Sequence, residues 1–117
     1  MKRLLFSGIV QKGARRGTAL GFPTANISFD GNESGIYAAK VLLNGQEYHA
    51  AVYADQKRKV LEAHLGKYSG GDLYGREIEI ELLKKIREDK KFEDKEALRT
   101  AIAADVQTIR SYFLSLK

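Results

Sequence analysis

Residues 76–86, REIEIELLKKI, alternate with period two: Ile78, Ile80 and Leu82 fall on one side, Glu77, Glu79 and Glu81 on the other. The alternation predicts an antiparallel strand with one face on a core and one in water. Residues 3–10 are apolar-rich and suit a first strand. Residues 35–53, GIYAAKVLLNGQEYHAAVY, contain two β-prone runs around Asn44-Gly45. That pair predicts a hairpin with a two-residue turn, because both central residues need positive φ. In KVLEAHL, residues 59–65, Leu61, Ala63 and Leu65 share one face of a further strand and Glu62 and His64 the other. Glycine-bearing stretches at 11–21 and 68–75 read as connections. The period then changes. Leu98, Ile102, Ile109 and Phe113, with Ala101 and Val106 close by, fall near one face of a helix. Asp94 suits its N-cap, Glu96 its first turn, and Arg110 and Lys117 its C-terminal end. Many short strands and one helix predict a mainly β protein: a small antiparallel β-barrel with a C-terminal α-helix packed on it. Closure would remove the exposed strand edges.

At 117 residues the chain is expected to form a single domain, 1–117, and its 44% hydrophobic content excludes a disordered chain. The formal net charge of +5 suits phosphate-bearing partners, and equally suits plain solubility. The absence of cysteine excludes disulfides and thiolate metal sites. No apolar run is long enough to span a membrane, and MKRLLFSGIV is too short and too broken for a signal peptide. A cytoplasmic protein with no membrane partner is the expectation. Tyr37, Tyr48, Tyr53, Tyr68 and Tyr74 are scattered through apolar strands rather than arrayed with basic residues, so no nucleic-acid partner is expected.

Three stretches could carry chemistry. In GARRGTALG, residues 13–21, Gly13 and Gly17 allow tight turns and backbone N–H groups aimed at an anion, and Lys12, Arg15 and Arg16 add charge. The Gly-Lys-Ser/Thr ending of a P-loop is missing, so a solvated basic loop and a phosphate loop are both open. In GFPTAN, residues 21–26, the chain's one proline, Pro23, fixes φ and restricts Phe22 to extended geometry. Thr24 and Asn26 then point the same way, and their oxygens suit Mg²⁺ or neighbouring backbone. In LEAHL, Glu62 suits a general base beside His64, or a solvated strand face. His49 and His64 alone make no zinc site.

Taken in order, SGIVQKGARRG, LGFPTANI, GIYAAKV, LEAHL, DLYGREIEIELLKKIREDKKF and EDKEALRTAIAADV resemble the riboflavin kinase (flavokinase) family along nearly the whole chain. The resemblance implies a six-stranded antiparallel Greek-key β-barrel with a C-terminal helix. It implies transfer of the γ-phosphoryl of ATP to the 5′-hydroxyl of riboflavin, with Mg²⁺, by a monomer whose partners are its small-molecule substrates. By that resemblance Thr24 and Asn26 would hold Mg²⁺ and the nucleotide phosphates. Gly13, Arg15, Arg16, Gly17 and Pro23 would line the nucleotide, Glu62 would accept the ribityl proton, and Arg87 and Phe92 would stand on the flavin side. In bacteria this domain commonly follows an adenylyltransferase module. The chain starts on the first kinase strand, so FAD synthesis is not expected of it. The segment 51–60, AVYADQKRKV, is shorter than is usual in the family. That leaves an alternative: a barrel of the same fold that binds flavin or nucleotide without catalysis.

Overall fold

The computed structural model describes residues 4–11, 24–66, 73–88 and 93–116. Gly13, Arg15, Arg16, Gly17, Pro23 and Phe92, with Lys12, lie outside the described residues. Among the described residues six strands form: β1 (Leu4–Ile9), β2 (Thr24–Ser28), β3 (Gly35–Leu43), β4 (Gln46–Asp55), β5 (Val60–Leu65) and β6 (Glu77–Arg87). Among the described residues one helix, α1 (Lys95–Ser115), follows.

The strands make one antiparallel sheet in the order β1-β6-β3-β4-β5-β2. Strands β3 to β6 form a Greek key, since β6 returns to lie beside β3. The sheet curls until its two edges meet. The N–H of Gln11, just past β1, donates to Asn26 O on β2 at 2.7 Å, and Gln11 Nε2 donates to Ser28 Oγ. Inside, the rings of Phe6 and Phe29 meet edge to face at 5.0 Å. The expected barrel is present, and among the described residues its seam is a single bridge.

Period two sorts the side chains. Ala25, Ile27, Val41, Val52, Leu61, Ala63, Ile78 and Ile80 point inward and form a close-packed interior. The barrel is therefore filled, and chemistry has to sit on its outer wall. The hairpin turn forms as its two residues require, with Asn44 at φ 52° and Gly45 at φ 78°.

Helix α1 begins where the sequence predicts. The Asp94 side chain accepts from Ala97 N at 2.8 Å, with Glu96 in the first turn. The last turn holds no basic residue, and Arg110 lies before it, so the expected C-terminal charge complement is absent among the described residues. Ile109 and Phe113 pack on Ala38 and Ala51, which face outward from β3 and β4. Strand β6 contributes to this second cluster through two irregularities. Its register against β3 skips Leu83 and Ile86, and both pack there. At the far end of β6, Gly35 (φ 103°) allows a close backbone approach, since a Cβ there would stand 2.5 Å from Arg87 O. The helix thus covers the outer face of the sheet beside the strands that carry Glu62 and Arg87.

Candidate active site

The outward residues of β2 include Thr24 and Asn26, and those of β5 include Glu62 and His64. The register sets Asn26 opposite Glu62 and Thr24 opposite His64. Directly opposed residues of an antiparallel pair have Cβ atoms about 4.5–5.5 Å apart. The Thr24/Asn26 pair and the Glu62/His64 pair, distant in sequence, are therefore one block of four side chains. On the other side of β5, Tyr53 of β4 stands opposite Glu62. Asn26, Glu62 and Tyr53 form a row across three strands.

This face is not the solvated one that alternation alone allows. Asn26 is 3% exposed and Glu62 2%. Asn26 Oδ1 is fully buried and has no hydrogen-bond partner among the described residues. Burying a polar atom unpaired costs about 1–3 kcal/mol, so such an atom is characteristic of a place where a ligand or ion completes the bonding. An amide oxygen next to a hydroxyl fits Mg²⁺, which prefers hard oxygen donors and keeps few protein ligands.

Glu62 and His64 open onto a cavity of about 850 Å³ between the outer faces of β4 and β5 and the N-terminal half of α1. Its walls carry charges in matched sets. On the turn side, the Asp55 carboxylate accepts from Lys57 N at 3.0 Å, Arg58 N at 3.1 Å and Arg58 Nε at 2.7 Å. On the helix side, Arg87 at the end of β6 pairs with Asp105 through two bonds, at 2.9 and 2.8 Å. Lys57 and Lys95 add two further cations at the cavity wall.

The 51–60 segment is organised around a tight turn. Asp55 ends β4 and caps a turn over residues 56–59, in which Lys59 adopts φ 57°. Lys59 Nζ donates to Gln56 Oε1 at 2.6 Å, while Gln56 Nε2 donates to the carbonyls of Gly31 and Glu33. Arg58 and Lys59 thus help to terminate the hairpin. Burial alone would raise the Asp55 carboxyl, but the Arg58 side chain, its backbone N–H, its charge and the Lys57 N–H together hold it below its ordinary 3.8. Asp55, and then the nearby Glu62 charge, raise the Arg58 guanidinium in turn.

Because the folded-state carboxyl is depressed, these bonds stabilise the protein above about pH 4, and their contribution fades as pH falls through the lowered value. Asp55→Asn is therefore expected to cost about 1–2 kcal/mol at pH 7 and almost nothing near pH 2. Urea unfolding of both proteins at the two pH values checks this, and an equal cost at both would contradict it.

The structure places Arg87 on the cavity wall with Glu62 and ties it to a partner that sequence reading missed. Asp105 lies on the apolar stripe between Ile102 and Ile109. The signal was there: a lone carboxylate at helical spacing on an otherwise hydrophobic face. Arg58 and Asp55 were also missed as a pair, because their contact depends on a turn whose geometry only the fold supplies.

Residues 1–113 match the family Flavokinase, riboflavin kinase. The chain belongs to this family. It is 37% identical over 117 residues to the bifunctional riboflavin kinase/FMN adenylyltransferase of Escherichia coli K12, covering 92% of this chain and 37% of that protein. The chain thus spans little more than a third of the length of that relative. A solved macrolide-efflux protein from Streptococcus pneumoniae superposes with a TM-score of 0.79 at 25% identity, over 92% of this chain and 38% of that one. The riboflavin kinase of Trypanosoma brucei shares the fold, with a TM-score of 0.69 at 24% identity over 97% of this chain and 82% of its own. The six-stranded antiparallel sheet with a C-terminal helix is the architecture read from the sequence.

Proposed function

We propose that this chain transfers the γ-phosphoryl group of ATP to the 5′-hydroxyl of riboflavin, giving FMN and ADP. The observation that carries the reading is the buried Glu62, which lines the 850 Å³ cavity and stands opposite the buried Asn26 on the neighbouring strand. The ribityl oxygen forms a bond to the γ-phosphorus, and the bond from that phosphorus to the β,γ-bridging oxygen breaks. The Glu62 carboxylate takes the hydroxyl proton, and ADP leaves with the bridging oxygen. Such a transfer needs positioning and charge neutralisation more than covalent help. Mg²⁺, when bound, supplies that neutralisation at the phosphates. Thr24 and Asn26 are the residues that would hold it, and the orphaned Asn26 Oδ1 supports that assignment.

Arg87 and the cavity lining serve the flavin, with Phe92 assigned to the same side by family membership. Gly13, Gly17, Arg15, Arg16 and Pro23, with Lys12, are assigned to the nucleotide phosphates on the same ground. A carboxylate held inside the fold supports catalysis over a barrel that only binds. The protein is read as a cytoplasmic monomer with no nucleic-acid or membrane partner. Among the described residues no helix is long and apolar enough to cross a membrane. The adenylyltransferase activity named for the longer relatives is not carried over.

The test is direct. Protein, riboflavin, ATP and Mg²⁺ are mixed, and FMN and ADP are separated by chromatography. Equal amounts of the two products are expected. Saturable quenching of flavin fluorescence with no FMN from any nucleotide would replace this reading with the non-catalytic barrel.

A further inference from the structure

Asp105 is out of place on its helix. It shares the stripe of Ile102, Ile109 and Phe113 and is buried as they are, at 7% exposure. A buried carboxylate lowers stability unless it is paired, and a well-packed apolar residue often serves a helix interface as well or better. The helix already docks through Ile109 and Phe113 on Ala38 and Ala51. Packing alone therefore gives no reason for a charge here.

Its partner suggests the reason. Arg87 Nε donates to Asp105 Oδ1 and Arg87 Nη2 to Oδ2, a two-point contact that fixes the plane of the guanidinium. Arg87 Nη1 donates to Glu88 O at 3.0 Å, which fixes it from a third direction. The backbone beneath is held too, since Gly35 lets β3 approach Arg87 O more closely than any side chain would allow. Arg87 and Asp105 line the same cavity as Glu62, together with Leu98 and Ile102 of the helix. The Arg87 side chain keeps 30% of its surface exposed, so its charge is oriented without being sealed away.

We propose that Asp105 is a positioning residue: it locks the Arg87 guanidinium into the cavity wall in the orientation that receives the flavin ring of the substrate. That ring presents carbonyl oxygens and ring nitrogens, acceptors suited to a planar donor array. A bidentate carboxylate keeps the array from swinging with the solvent-facing end of the side chain. This inference rests on the riboflavin phosphotransferase reading above.

The experiment measures riboflavin binding by fluorescence quenching without nucleotide, and both KM values in the FMN assay. Asp105→Asn is expected to raise the Kd and the KM for riboflavin about tenfold or more, the size of a lost charge-assisted contact. The KM for ATP stays within about twofold, because the nucleotide is held elsewhere. Asp105→Glu recovers most of the riboflavin affinity, since it keeps the carboxylate. Arg87→Lys reproduces the Asp105→Asn defect, and the double variant is no weaker than Arg87→Lys alone, because both break one unit. A riboflavin Kd that Asp105→Asn leaves unchanged would overturn the proposal. So would losses in both KM values that track a falling melting temperature across all variants. If Asp105→Asn does not fold, Arg87→Lys decides: wild-type riboflavin affinity there overturns it. Wild-type protein that binds riboflavin without making FMN refutes the phosphotransferase reading and leaves the binding titration to judge Asp105. Wild-type protein that does neither overturns both.

Discussion

Glu62→Gln is expected to lower the rate of FMN formation by about 10²–10⁴-fold, the usual worth of a positioned general base. The substitution keeps the shape of a side chain that is 2% exposed and removes only its basicity. The fold should therefore survive, with cooperative unfolding near the wild-type midpoint and riboflavin still bound. Single-turnover FMN formation with both substrates saturating isolates the chemical step from binding. A wild-type rate in that assay would remove Glu62 from the role of base. A loss confined to KM would make it a binding residue instead.

Asn26→Leu should separate stability from activity. The side chain is buried, and its Oδ1 makes no bond to any described residue, so an apolar side chain of similar volume removes an unsatisfied atom. The unfolding free energy is expected to stay within about 1 kcal/mol of wild type or to rise. FMN formation is expected to fall by about 10²-fold or more, and the Mg²⁺ concentration needed for half-maximal rate to rise. Initial rates across a Mg²⁺ series, beside urea unfolding, give both quantities. Reduced stability with an unaltered Mg²⁺ dependence would show Asn26 to be a structural residue and would leave the metal without its assigned oxygen.

Much of the architecture could be read from local pattern. Alternation in REIEIEL placed β6, Asn44-Gly45 placed the β3–β4 turn, and Asp94 placed the start of α1, because each depends on neighbours a few positions apart. Alternation also tells which residues share a face. It does not tell what covers that face, so it left Glu62 either on a solvated face or as a candidate base, and the fold shows the side chain buried. The contacts that build the site are long-range. Asn26 meets Glu62 because two strands pair in one register, and Arg87 meets Asp105 because the end of β6 and the helix stripe converge. The Gln11 bridge that closes the barrel is of the same kind. Motif resemblance singled out Thr24, Asn26 and Glu62. It gave no hint that a helix carboxylate would orient Arg87, nor that Asp55 would consume the charge of Arg58. Gly13, Arg15, Arg16, Gly17, Pro23 and Phe92 lie outside the described residues, and their roles rest on family membership.

The pairing of β2 with β5 has one more consequence. Inward and outward residues alternate along both strands, so Ala25 and Ile27 flank Asn26 as Leu61 and Ala63 flank Glu62. A slip of β2 by a single position would turn Asn26 into the hydrocarbon interior and expose Ile27. Misassembly that separates Asn26 from Glu62 is thereby also the misassembly that the interior rejects most strongly. The oily side of each strand proofreads the reactive side, and a chain that has packed correctly has already aligned its chemistry.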